Sequence, residues 1–183
     1  MDAFQAIMTR RSVRSFLPDP VPQESMDRIL EAGRAAPSAM NRQPWHFIFV
    51  TDSERRKALA GGKFAGFLTS SPLVIVGCSN KERSPKWHAV DTAIAMQNMV
   101  IAATNEGLGT CWIGSFDEAK VREALKIPGE YAVLAMIAVG FPSNKPSLTG
   151  AIASVLRNKK APEEIASREE FGLPYRKGEI VRS

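Results

Sequence analysis

The sequence predicts a layered fold of class α/β or α+β, a sheet covered by helices on both faces. Three observations predict it. Short β-branched and aromatic runs at 46–51, 73–78, 110–113 and 131–139 read as buried strands. Helical patterns at 54–60, 89–106 and 118–125 lie between them, so strand and helix alternate through the middle of the chain. The length of 183 residues, with 44% hydrophobic and 23% charged residues, suits a soluble globular protein that buries roughly 70% of its unfolded surface without disulfide or metal staples.

Taken in order, Asp2 with Gln5 resembles a capping box, and Phe4, Ile7 and Met8 follow at helical spacing, so a short amphipathic helix ends near Thr9. Pro18, Pro20 and Pro22 impose an extended connection. Pro22 suits the first turn of a second helix with Met26, Ile29 and Leu30 as its buried stripe, Gly33 near its end and Pro37 beyond it. In the 89–106 helix, Ala93, Ile94, Met96, Val100 and Ile101 spread apolar surface over most of the circumference, which calls for cover on several sides. Asp117 is the expected N-cap of the 118–125 helix. From Phe141 onward Pro142, Pro146, Gly150, Pro162 and Pro174 break the pattern, leaving one helix near 162–168. Such a tail has little core of its own. Its closing G-E-I-V-R-S can add an edge strand to another sheet, and a partner subunit is the natural place for it.

Composition excludes several classes. Glycine and proline, 13 and 12 residues, are too few and too scattered for a disordered or fibrous chain. Cys78 and Cys111 sit in apolar runs without a CxxC pair, which argues against a disulfide framework or zinc site and for a reducing, cytoplasmic location. No secretory pattern opens the chain. The apolar stretch 89–103 is interrupted by Asp91, Thr92, Gln97 and Asn98, short of the ~20 apolar residues of a membrane span. The net charge of +5 is dispersed, with +1 over residues 1–50, +4 over 51–90, −2 over 91–150 and +2 over 151–183. That is not the clustered basic surface of a nucleic-acid binder. A small anionic ligand fits.

The chain has no G-x-S-x-G, H-E-x-x-H or G-x-x-x-x-G-K-[ST], and Gly107, Gly109 and Gly114 do not fall into G-x-G-x-x-G spacing. His46 and His88 are its only histidines and read as structural, so the reactive atom of an enzyme built on this chain would be borrowed. Three clusters carry candidate chemistry. In Arg10-Arg11-Ser12-Val13-Arg14, an extended backbone would project Arg10, Ser12 and Arg14 to one side, two guanidiniums flanking a hydroxyl, as a phosphate requires. The alternative is that the cations only complement a helix C-terminus. The loop around Pro37, Ser38, Ala39, Asn41 and Gln43 offers amides and hydroxyls suited to a heteroaromatic edge, or else a proline-reinforced turn. Gly107 to Gly114 frames a short strand where glycine permits close approach to a flat ligand, although Gly107 also reads as a helix C-cap and Trp112 as core.

R-R-S-V-R, A-P-S-A-M-N-R-Q-P-W, D-T-A-I-A-M-Q-N and G-L-G-T-C-W-I-G, in that order over about residues 1–142, resemble the FMN-dependent nitroreductase family. The resemblance implies an α+β, three-layer α/β/α fold around a central mixed sheet, and a homodimer with FMN at the subunit interface. Residues 1–183 would form one FMN-binding domain, with 143–183 as an extension clasping the partner. It further implies that Arg10, Arg11, Ser12 and Arg14 hold the phosphate and ribityl chain. Pro37, Ser38, Ala39 and Asn41 would come from the other subunit, Gln43 would support their loop, and the backbone at Ile113 and Gly114 would lie over the isoalloxazine. A basic pair near the C-terminus usually completes the phosphate site; here Arg157, Asn158, Lys159 and Lys160 resemble it, and Lys159 is the expected contact, although 147–156 is longer and more apolar than the pattern. The implied activity is ping-pong transfer of electrons from NADH or NADPH, through flavin N5, to an electron-poor acceptor such as a nitroaromatic or quinone, with no catalytic side chain. A flavin-binding or flavin-modifying protein on the same fold is the alternative. Residues 63–71 and 81–86 are the expected borders of a substrate channel.

Overall fold

Three helices begin where a carboxylate caps them. Asp2 accepts the Gln5 N–H at 2.8 Å and opens α1 (Ala3–Thr9). Asp52 accepts the Arg55 N–H at 2.9 Å and opens α3 (Ser53–Leu59). Asp117 accepts the Lys120 N–H at 3.2 Å and opens α5 (Glu118–Leu125). Each cap satisfies an otherwise orphaned donor, worth about 1 kcal/mol. Helix α2 (Gln23–Arg34) follows Pro22, and α4 (His88–Asn105) is the longest. The computed structural model describes residues 1–62, 65–144 and 159–175, so the 157–158 pair and the closing hexapeptide expected as an edge strand lie outside the described residues.

The strands β1 (Trp45–Val50), β2 (Leu73–Asn80), β3 (Gly109–Ile113) and β4 (Tyr131–Gly140) form a sheet in the order β1-β2-β4-β3. All three pairings are antiparallel. The mixture of strand directions expected for this sheet is therefore confined, among the described residues, to one parallel bridge between Ser12 and Thr110. Alternation of strands and helices along a sequence does not fix strand direction: here β2 and β3, joined through α4, run the same way, but β4 lies between them and pairs antiparallel with both.

Central strand β2 is buried from Leu73 to Ser79. Leu73 and Ile75 pack with Ile29, Met96, Met99 and Val100 of α2 and α4 on one face. Val74, Val76 and Cys78 pack with Leu59, Leu68 and Val121 on the other. Helix, sheet and helix thus form three layers, and covering both faces explains why β2 reads as an unbroken apolar run rather than an alternation.

Two expectations need correction. Of the stripe assigned to the second helix, Ile29 is fully buried, but Met26 is half-buried and Leu30 is 44% exposed. The helix packs through Ser25, Ile29 and Gly33, a row spaced by four residues, whose small members let α2 approach α4 closely. The last helix, α6 (Pro162–Ile165), stops short of 168 because Ala166 is extended and Ser167 bridges back to Pro174. Among the described residues of the tail none is buried, and Ile165 and Phe171 are exposed. The outer side of α4 is open too, with Val90 and Ile94 exposed.

Candidate functional site

The arginine segment is placed by β3. After α1 ends, Arg10 turns extended, Ser12 bridges Thr110, and the Val13 N–H donates to the Thr110 carbonyl at 2.8 Å. Val13 is buried over Gly109, where a Cβ would lie 2.7 Å from the Val13 Cγ2. Only glycine admits that contact without a shift. With Val13 turned inward, Arg10, Arg11, Ser12 and Arg14 line a cavity of about 480 Å³ together with Lys159 from the tail. Four cations and the hydroxyl residues Thr9 and Ser12 line one space beside Ile7 and Met8, and among the described residues no carboxylate lines it. Such a donor set matches a phosphate, because planar forks and an ammonium make charge-assisted hydrogen bonds to its oxygens. Arg11 joins the set although simple alternation places it on the opposite side from Arg10 and Ser12.

Cys111, next to Thr110 on β3, borders this field. Burial pushes its thiol up from the ordinary value, while Arg14, a hydrogen bond with Ser12, and Arg10 oppose the rise. The sequence places Cys111 in an apolar run and gives no sign that it lies beside the arginines.

The 37–43 loop is held from within. Ser38 Oγ accepts the Gln43 N–H at 2.9 Å, and Gln43 Nε2 donates to Asn41 Oδ1 at 3.0 Å, so Gln43 does brace the loop. Met40, Asn41 and Gln43 have φ of 53°, 53° and 45°, left-handed values that cost non-glycine residues about 1–3 kcal/mol each and persist only where surroundings over-determine them. One such restraint comes from outside the loop: Asp91 Oδ2, in the first turn of α4, accepts the Ala39 N–H at 3.2 Å. Pro37 and Asn41 are exposed, while Ser38 and Ala39 are half-buried.

At the third cluster, Gly107 adopts φ 76° after α4, and the Leu108 N–H returns to the Ala103 carbonyl at 2.9 Å, so its capping role holds. Ile113 is buried and Gly114 exposed, with open space where a Gly114 Cβ would point. Trp112 is half-buried and its Nε1–H donates to Gln97 Oε1 at 3.3 Å. Strand β3 thus carries the arginine segment at Thr110 and the Gly114 backbone about 13 Å further along, at ~3.3 Å per residue.

The first and third clusters come together through β3; the second stands apart. Ala39 is tied to Asp91 at the start of α4, whereas Thr104, near its end, shares a small cavity with Arg10 and Arg11. Thirteen residues at ~1.5 Å each separate Asp91 from Thr104 by roughly 20 Å. Within one chain the 37–43 loop and the arginine segment are thus tied to opposite ends of α4.

Of the two histidines, His88 places Nδ1 2.9 Å from Ser79 Oγ, and the exposed His46 meets Tyr131 edge-on. Among the described residues no cluster of His, Cys, Asp or Glu is arranged to hold a metal ion, and no helix is long and apolar enough to cross a membrane. Of the expected channel borders, 66–69 forms a 3-10 turn, 81–86 is a turn region, and 63–64 lies outside the described residues.

The family model described as "Nitroreductase family" matches residues 7–72 and 61–141. A Methanothermobacter thermautotrophicus protein named as an NADH dehydrogenase/NAD(P)H nitroreductase is 34% identical over 153 residues, 80% of this chain and 80% of that protein. The 5,6-dimethylbenzimidazole synthase of Rhodospirillum rubrum is 28% identical over 165 residues, 73% of this chain and 78% of that one. Among solved structures, the FMN-dependent nitroreductase of Clostridium difficile R20291 superposes with a TM-score of 0.77 at 28% identity, covering 92% of this chain and 99% of that one. An antiparallel sheet between helical layers, the cationic segment beside β3 and these matches agree: the chain belongs to the Nitroreductase family.

Proposed function

We propose that this protein is an FMN-dependent oxidoreductase that passes electrons from NADH or NADPH to an electron-poor acceptor such as a nitroaromatic or quinone. The observation that carries the reading is the cavity in which Arg10, Arg11, Ser12, Arg14 and Lys159 converge. Its chemistry fits the phosphate of FMN, and the open backbone at Gly114 further along β3 suits the flat ring. When bound, FMN supplies the redox chemistry, accepting hydride at N5 and handing on electrons. The protein's own part is to grip and orient. Arginine forks fix the anionic end, and backbone N–H groups near Gly114 offer donors to a ring that gains negative charge on reduction.

About 20 Å of α4 lies between the anchor of the 37–43 loop and the arginine segment, which supports a reading in which the two serve one cofactor from different copies. On that reading the protein is a homodimer with FMN at its interface. Pro37, Ser38, Ala39 and Asn41 of one protomer then face the arginines of the other, and Gln43 braces that loop. The exposed apolar side of α4 and the tail, none of whose described residues is buried, are the surfaces such a dimer would cover, with 143–183 as the clasp of an otherwise single domain. Donor and acceptor would use the same open face in turn, which makes the kinetics ping-pong. Both described thiols are free, as suits the cytoplasm.

A second reading, a flavin-modifying protein on the same fold, is favoured by one observation, the similarity to the dimethylbenzimidazole synthase. Anaerobic mixing of the FMN-loaded protein with NADH or NADPH separates the two. Bleaching of the bound flavin, reversed by a quinone or nitrofuran over many turnovers, supports the oxidoreductase. A yellow protein that neither nicotinamide bleaches contradicts it.

A further inference from the structure

We infer that Asp91 is a positioning residue, acting on the cofactor of the partner protomer through the 37–43 loop. The inference rests on the proposed shared FMN site and adds a part to it. Asp91 is only 4% exposed and stands in the first turn of α4, where with Thr92 it is one of two polar residues on a buried side made up otherwise of Ala95, Met96, Met99, Val100 and Ala103. Carboxylates are seldom buried to this extent without a partner, since desolvation penalises the charged group. The partner here lies 52 positions away: the Ala39 N–H, donating to Oδ2 at 3.2 Å. Ala39 opens the 3-10 turn that contains Met40 and Asn41, two of the three left-handed residues in the loop. A side chain that merely complemented the helix dipole would need neither the burial nor this bond, because dipole complementation works from the surface of the first turn.

The internal bonds of the loop, from Ser38 and Gln43, fix its shape; Asp91 fixes where that shape sits on the protomer. The loop is anchored at the rigid start of an 18-residue helix whose far end lies beside the arginine segment. In a dimer this would set where the exposed Asn41 side chain and Pro37 meet the ring of the cofactor whose phosphate the neighbouring arginines grip. Loss of the anchor would leave the phosphate grip intact and degrade the fit at the ring.

Four variants of the full-length dimer test this: Asp91→Ala, which removes the acceptor; Asp91→Asn, which keeps an oxygen there; Ala39→Pro, which removes the donor; and Asp91→Ala with Ala39→Pro. Proline is tolerated at position 39 because Ser38 is extended, with ψ 155°, and residue 39 opens the turn. The readouts are the FMN dissociation constant and the visible circular dichroism of bound FMN, which reports the ring's surroundings and which a loss of global stability alone does not alter. Asp91→Ala and Ala39→Pro should each weaken FMN about tenfold and change the flavin spectrum alike, with Asp91→Asn within about threefold of the parent. The double variant should be no worse than the poorer single one, because both remove the same bond. Wild-type affinity and spectrum in Asp91→Ala or Ala39→Pro overturn the inference, as do effects that multiply in the double variant. If Asp91→Ala fails to fold, Ala39→Pro decides by the same criteria. Failure of the underlying reading looks different: the parent protein takes up no FMN, or Arg14→Ala leaves its affinity unchanged, and either result removes the inference as well.

Discussion

Arg14 lines the cationic cavity half-buried, following a Val13 locked onto Gly109, so backbone pairing fixes where its side chain starts. A charge-assisted hydrogen bond to phosphate is worth about 1.5–3 kcal/mol, so Arg14→Ala should weaken FMN binding roughly ten- to hundredfold while leaving the FMN-free fold intact by circular dichroism. A fluorescence titration that finds unchanged affinity would remove Arg14 from the site. Cys78 gives a pH prediction. Burial pushes its thiol from an ordinary 9.0 up to about 11. The unfolded chain therefore loses this proton first, and the group's stabilising contribution, full below pH 9, disappears as pH rises through 11. The melting temperature of Cys78→Ala should fall less steeply than that of the parent between those limits; identical slopes would contradict the burial argument. At this scale the sequence is legible where residue type and ligand chemistry coincide, as in the arginines and the amide-rich loop. Asp91 is not legible in that way, because a carboxylate in a helix's first turn reads as dipole complementation and its bond to Ala39 spans two elements.

Among the elements, β3 matters most to the site, since it carries Thr110 against the arginine segment and ends at Ile113 before the open Gly114 backbone. Gly109→Ala should displace Val13 and lower FMN affinity even though residue 109 does not line the cationic cavity. Equal affinity in parent and variant, measured by the same titration, would show that the segment adjusts freely. The tail supports a second prediction. With Ile165, Phe171, Leu173 and Tyr175 all exposed on the single chain, truncation before Phe171 should lower the dimer's melting temperature and promote dissociation on dilution. A truncated protein that sediments as the same dimer with an unaltered melting temperature would deny the tail its clasping role. Several element boundaries that local chemistry sets are legible, as at the carboxylate caps Asp2 and Asp117, the left-handed glycine at 107 and the β-branched run at β2, while the Asp52 cap that starts α3 at Ser53 goes unread. Boundaries are not legible where packing decides. Leu30 belongs to the apolar pattern of α2, yet the helix meets α4 through Ser25, Ile29 and Gly33. The extended Ala166 that ends α6 has no local signature.

Considered as a whole, the protein keeps its two ligand-like clusters at opposite ends of its longest helix while exposing apolar surface on that helix and on its tail. The composition foretells neither arrangement, since dispersed charge says nothing about which cations converge. The order of the motifs points to a shared site only through the family resemblance. In the structure the proposal has physical support: about 20 Å of α4 lies between the anchor of the 37–43 loop and the arginine segment. Mixed dimers of one Arg14→Ala chain and one Asn41→Ala chain, isolated with two affinity tags, test it most directly. If each FMN is enclosed by the arginines of one protomer and the loop of the other, the mixed dimer has one doubly damaged and one undamaged site. Half of its sites should then bind FMN with wild-type affinity, although neither parent homodimer does. If titration instead finds every site in the mixed dimer as weak as in the parents, each chain holds its own cofactor and the shared enclosure is wrong.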